Sequence, residues 1–268
     1  MKHCHFSILY NEIAFLKQKL PFLYQHFDQL IFYDLGVKEM DYSTDGSHEF
    51  IKEYPDPEGK ITLIEQRDLS NVKNYKGYSV LQKQKMFAVG SRYVHNDMDV
   101  FWCTDMDEFF QQSLIAKVEQ RISGGSILVP HLVFFKNHRW VFAEKKGPPL
   151  QHLPWPRIAA HKPGNLYGHC SLHEQFKPVM RVGDERIFHF SYIGDEKVRF
   201  KADIYKVEKW VRDVWAKFKE PPLERGKLFG HPAMHPTLDM GIKMNDEPLP
   251  AYIDVEELMR DLRAEYDH

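Results

Sequence analysis

Cysteine is scarce: Cys4, Cys103 and Cys170 stand far apart and none belongs to a C-x-x-C pair. That excludes a disulfide-stapled scaffold and makes a reducing, cytoplasmic setting the expectation. An excess of one charge is missing too. With 36 basic and 38 acidic residues the formal net charge is -2, so no global field gathers nucleic acid or an anionic membrane. No run approaches the roughly 20 apolar residues that cross a bilayer, and MKHCHFSILYNE lacks the long apolar core of a signal peptide, so a soluble chain is expected. There is no internal repeat, no G-x-S-x-G elbow, no phosphate loop of the G-x-x-x-x-G-K-[ST] type, no G-x-G-x-x-G after the first strand and no H-E-x-x-H.

What is present suits an α/β fold. The 268 residues, 43% hydrophobic and 14% aromatic, can bury a full core. Short apolar runs at 3–10, 30–34, 61–65 and 100–104 read as strands. Helical patterns at 12–27 (containing Pro21), 48–54 and 76–94 alternate with them, and a weaker one follows at 113–122. This alternation predicts a mixed, mainly parallel sheet flanked by helices. After a Gly124-Gly125 turn comes the apolar run SILVPHLVFF. Residues 144 to 175, rich in Pro, Gly, His and aromatic residues, read as long loops that include Trp155 and Tyr167. A helix is expected over 197–219, a proline-rich stretch over 221–250, and a last helix in DVEELMRDLRAEY capped by Asp254. Residues 1 to 110 would form a nucleotide half and 111 to 268 an acceptor half of one domain.

Chemistry concentrates in Thr104-Asp105-Met106-Asp107-Glu108, directly after the apolar run VFWC. Ligands of open α/β sheets settle beyond the carboxyl ends of the strands. Two carboxylates one residue apart can meet a hard cation there, and Mg²⁺ or Mn²⁺ commonly joins such carboxylates to substrate phosphates. A lone D-x-D is more often a solvated turn, so its neighbours decide its weight.

Those neighbours carry a resemblance. ILYNE at 8–12, LIFYD at 30–34, STDGS at 43–47 and WCTDMDEFF at 102–110 look like the GT-A glycosyltransferases, and within them the family 2-like branch. The likeness runs in order over about residues 5 to 140 and more loosely reaches KPVMRVGDERIFHF at 177–190. It implies sugar transfer from a nucleoside diphosphate sugar, with a uridine or guanosine base, to a hydroxyl with inversion. It also implies Mn²⁺ or Mg²⁺ held by Asp105, Asp107 and a late histidine, His189. Tyr10, Asn11 and Glu12 would approach the nucleotide, with Asp34 at the base or ribose, Asp105 at the ribose, and Gln82 or Lys85 near the donor. The inserted LGVKEMDY before Ser43 leaves Asp41 and Asp45 as alternatives to Asp34. Glu174 is the expected general base, with Asp195, Asp184 and Glu185 as alternatives and Glu108, close to the metal-binding pair, as the least preferred.

Each residue also has a plainer role. Asn11 can cap a helix, Asp45-Gly46 can be a turn, Gln82 and Lys85 a solvated helix face, and His189 a hydrogen-bonded core histidine. His169, Cys170 and His173 lack a second ligand pair for zinc, and the prolines around His231 and His235 break any helix. His3 and His5 share one side of the first strand. A metal-dependent nucleotidyl- or phosphotransferase and a non-catalytic nucleotide-sugar module remain open. The acceptor can be a glycan, a lipid-linked sugar, a protein or a modified nucleobase.

Overall fold

The computed structural model describes residues 1–35, 41–69, 81–144, 156–165, 167, 177–182, 185–193, 240–245 and 247–264. The expected helix over 197–219, most of the proline-rich stretch, Glu174, Asp184, Asp195 and the side chain of Gln82 lie outside the described residues. In chain order come β1 (His3–Leu9), α1 (Ile13–His26), β2 (Gln29–Asp34), α2 (Ser47–Glu53), β3 (Ile61–Ile64), α3 (Leu81–Gly90) and β4 (Val100–Cys103). Then follow β5 (Glu108–Phe110), α4 (Gln112–Arg121), β6 (Ser126–Leu128), β7 (His131–Glu144), β8 (Ile158–Ala160) and β9 (Val179–Arg181). The order closes with β10 (Ile187–Ile193), β11 (Met240–Met244) and a last helix, α5 (Val255–Ala264). Two compact units emerge. The first comprises Met1–Met106, Gln111–Val129 and Leu153–Glu185; the second comprises Asp107–Phe110, Pro130–His152 and Arg186–His268.

The first unit holds a seven-stranded sheet in the order β3-β2-β1-β4-β8-β6-β9. β1 pairs in parallel with both β2 and β4, and β8 is the strand that runs against its neighbours. This is the mixed, mainly parallel sheet flanked by helices that the sequence predicts. β1 explains why: it is buried on both faces, as strands of parallel sheets are. Cys4, Phe6 and Ile8 enter a core with Ile31 and Tyr33 of β2 and Met86 and Phe87 of α3. The Phe6 and Phe87 rings meet edge-on at 4.8 Å. His3 and His5 turn to the opposite face together. There the His5 ring meets Phe27 at 5.5 Å, His3 Nε2 lies 3.1 Å from Glu119 of α4, and Trp102 Nε1 donates to His3 Nδ1 at 2.9 Å. Both ring nitrogens of His3 thus find partners, whereas His5 is paired through Nε2 alone and its Nδ1 is buried without a hydrogen bond among the described residues.

The second unit holds a four-stranded sheet, β11-β7-β10-β5. β10 runs parallel to β7 and antiparallel to β5. Alternation along β10 sorts its side chains: Phe188 and Phe190 face one way, Ile187 and His189 the other. Phe190 meets Phe109 edge-on at 5.4 Å and stacks with Phe134 at 4.6 Å. Such pairs add about 0.5–1.5 kcal/mol each beyond their buried area. α5 starts as expected, with Asp254 Oδ1 accepting from the Glu257 N–H at 2.9 Å. No helix among the described residues is long and apolar enough to cross a membrane.

The apolar run SILVPHLVFF divides into two elements: Ser126–Leu128 joins the first sheet and His131–Glu144 the second, with Pro130 between them. Proline cannot donate to a ladder, so pairing stops and the chain changes sheets there. Within the expected loops of 144–175, Ile158–Ala160 forms β8 and inserts between β4 and β6. Three residues are too few to show a period.

The Gly124-Gly125 turn is sterically demanding. A Cβ on Gly125 would stand 2.0 Å from the Pro178 carbonyl oxygen, which accepts from Ser126 N–H at 3.0 Å. Gly125→Ala therefore meets backbone rather than a movable side chain. It is expected to lower stability by about 1–3 kcal/mol, read as a reduced melting temperature and denaturant midpoint; an unchanged midpoint would contradict this packing.

Candidate functional site

Three adjacent parallel strands of the first unit, β2, β1 and β4, carry sequence-marked residues at their carboxyl ends. Beyond β1 lie Tyr10 and Glu12, both half-buried, and Asn11, exposed at a backbone φ of 53°. A positive φ is a conformation asparagine tolerates better than most residues. The STDGS segment wraps around this corner. Asn11 N–H donates to Ser43 Oγ at 2.8 Å, while Asn11 Oδ1 accepts from Thr44 N–H at 2.8 Å. Glu12 N–H donates to Ser47 Oγ at 3.1 Å. Asp45 reaches two helices at once, accepting from Ile13 N–H of α1 and Ser47 N–H of α2, each at 2.9 Å. Amide groups that both helices leave unpaired at their starts thus share one carboxylate, whose charge also suits the helix dipoles. Asp45 acts through its side chain in this way although Gly46 is the residue that precedes α2.

Asp34, at the end of β2, is fully buried. Its carboxylate accepts from Ser43 N–H at 3.1 Å and from Ser43 Oγ at 2.5 Å, and His48 Nδ1 lies 2.8 Å away. Burial pushes the Asp34 carboxyl up, and the bonds from Ser43 and His48 oppose that rise. The insertion before Ser43 therefore returns the chain to Asp34, which anchors the wrapping segment from beneath. Asp41, by contrast, is exposed and pairs with Arg67 at 2.9 Å. Lys85 is half-buried on α3.

Beyond β4, Asp105 is partly exposed while its backbone is held from inside. Lys19 of α1, fully buried, donates from Nζ to the Asp105 carbonyl at 2.7 Å and to Thr104 Oγ1 at 2.9 Å. His5 Nε2 meets the same hydroxyl at 2.7 Å, and Arg157 lies 3.9 Å from the Asp105 carboxylate. A buried ammonium is stable only when hydrogen-bonded, so Lys19 ties the strand end to α1.

In the second unit, Asp107, Glu108, His131 and His189 converge, all of them buried. His189 on β10 is directly opposite Glu108 on β5. His131 on β7 is in register with Ile187, two residues before His189 and on the same face. His189 Nε2 lies 3.5 Å from Asp107 Oδ1, its Nδ1 lies 3.9 Å from Glu108 Oε1, and His131 Nδ1 lies 3.8 Å from that same oxygen. Among the described residues, Glu108, His131 and His189 are the group whose geometry could hold a metal ion. Sequence reasoning did not single out His131. Its one signal is a histidine at an alternate position of the otherwise apolar HLVFF. Glu185, an alternative general base in the sequence, is buried against Lys117 at 2.9 Å.

No family model matches the chain, and no curated protein sequence matches it. Solved structures with some likeness include 4-diphosphocytidyl-2C-methyl-D-erythritol synthase from Anaerococcus prevotii, at 10% identity and a TM-score of 0.39 over 76% of this chain and 96% of that one. A putative glucose-1-phosphate thymidylyltransferase from Bacillus anthracis gives 10% identity and 0.37 over 82% and 96%. Inositol-1-phosphate CTP transferase from T. maritima gives 10% and 0.35 over 84% and 98%.

Burial first, then the Lys19 cation, hold the His5 imidazole well below its ordinary value of 6.5. The folded protein keeps His5 neutral while the unfolded chain protonates. Its contribution to stability is complete above the ordinary value and is lost as pH falls from there through the depressed one. His5→Gln should therefore flatten the fall in melting temperature between pH 6.5 and about pH 5. A slope identical to that of the unmodified chain would show that His5 protonates freely when folded.

Proposed function

We propose that this chain is a metal-dependent glycosyltransferase of the GT-A type, moving a sugar from a nucleoside diphosphate sugar to an acceptor hydroxyl with inversion. The observation that carries the reading is Asp107 standing 3.5 Å from His189. The second D-x-D carboxylate and the late histidine, remote in sequence, are the two residue types such a transferase needs beside its donor phosphates. Support also comes from the topology, since Tyr10, Asn11 and Asp105 follow neighbouring parallel strands at the ends where nucleotides settle in open α/β sheets.

Asp107 has the donor chemistry for Mn²⁺ or Mg²⁺. Such a cation supplies positive charge that neutralises the departing diphosphate. Asp105, one residue removed from Asp107 in the chain, faces the ribose, with its backbone fixed by Lys19. His189 turns Nε2 toward Asp107, at 3.5 Å, and would stand with it beside the donor diphosphate. Asp34 acts indirectly, by holding Ser43 and thereby the loop that caps α1 beside Tyr10 and Asn11. An inverting transfer also needs a carboxylate within about 3 Å of the acceptor hydroxyl. Glu174 is the residue proposed for this, with Asp195 as the alternative. The donor base is uridine or guanosine.

Asp107→Asn should leave the melting temperature unchanged and abolish Mn²⁺-dependent binding of nucleoside diphosphates; undiminished metal-dependent turnover would remove Asp107 from the site. Product analysis tests the reaction class: released nucleoside diphosphate supports sugar transfer, whereas released pyrophosphate assigns nucleotidyl transfer. In Glu174→Gln, donor binding should persist while turnover drops roughly a hundredfold or more. Normal turnover passes the role to Asp195.

A further inference from the structure

His189 has two working sides, and the proposed transfer uses only one. Its Nδ1 is buried and makes no hydrogen bond among the described residues. It faces Glu108 Oε1 at 3.9 Å, and His131 Nδ1 approaches that oxygen at 3.8 Å. Both gaps are too long for hydrogen bonds. They are shorter than two metal–ligand bonds of about 2.1 Å laid end to end. The ligand atoms of the three residues all lie within 4.8 Å of one another. A tetrahedral ion about 2.1 Å from each ligand sets those atoms about 3.4 Å apart, so the gaps at Glu108 close by roughly half an ångström and a pair at the 4.8 Å limit by about 1.4 Å, shared between two side chains.

We propose that Glu108, His131 and His189 bind a transition-metal ion of the zinc class, separate from the donor's cation on Asp107 and held without any nucleotide. Two imidazoles and one carboxylate suit zinc and its first-row neighbours, whereas Mg²⁺ prefers all-oxygen surroundings. All three side chains are buried, which suits a small ion. The ligands come from three consecutive strands, β7, β10 and β5, so the ion would staple the sheet across its ladders. With Nδ1 on the ion, the His189 ring carries its proton on Nε2, the nitrogen facing Asp107. Metal-bound histidines commonly donate that second N–H to a carboxylate. His189 would then be a positioning residue for Asp107.

The test uses the full chain stripped with chelator and titrated with Zn²⁺ alone against a chromogenic competitor. About one ion per chain should bind tightly, and the melting temperature should rise with it. His131→Ala and Glu108→Gln should each weaken binding about ten- to a hundredfold or more, while Asp107→Asn keeps the one-ion stoichiometry. No nucleotide-independent ion, or one that survives both ligand replacements, overturns the site. So does an ion lost in Asp107→Asn but kept in His131→Ala, which would assign it to the donor side. Should His131→Ala not fold, His131→Gln and the visible spectrum of the Co²⁺-loaded unmodified chain still decide, since absence of ligand-field bands from nitrogen ligation rejects the proposal. Because no donor or acceptor enters the titration, its outcome is independent of whether sugar transfer is found.

Discussion

The parallel pairing of β1 with both β2 and β4 is the constraint on which the first unit depends. A strand hydrogen-bonded on both edges and buried on both faces has no freedom to slip, because a shift of one residue would exchange Phe6 and Ile8 for His5 and Ser7 in the core. With β1 locked, the ends of three strands are locked as well, and the residues that follow them are delivered to one edge of the sheet. The polar groups there are then largely spent on each other. Asp34, Ser43, Asp45 and Ser47 make the corner by satisfying amides that a helix start would otherwise leave to water.

The second unit uses register for a different end. The aromatic face of β10, with Phe188 and Phe190 against Phe134, sets which side chains point the other way. His189, Glu108 and His131 then share a face because the pleat repeats every two residues. Packing on one side of a sheet therefore specifies chemistry on the other.

Much of this was legible in the residues. Long apolar runs bounded by helical patterns announced β1, β2, β3 and β4, and the turn at Gly124-Gly125 and the cap at Asp254 were visible as local chemistry. D-x-D and the alternating IFHFSYI pointed to Asp107 and His189. What could not be read has two physical causes. β5, β8 and β9 have three residues each, too short for a period, and exist because a neighbouring strand offers a ladder. His131 matters only through the parallel pairing of β7 with β10, a partner far along the chain. Asp34 was conspicuous, yet its fate depended on the Ser43 segment returning to it after the insertion, which a resemblance in motif order does not report.

Pro130 also bears on how the chain can be divided and synthesised. Because the chain changes units at that proline and at the D-x-D, each unit is assembled from three separate stretches of sequence. Neither can be cut out as a contiguous fragment, and on the ribosome the first cannot be finished before the second has begun.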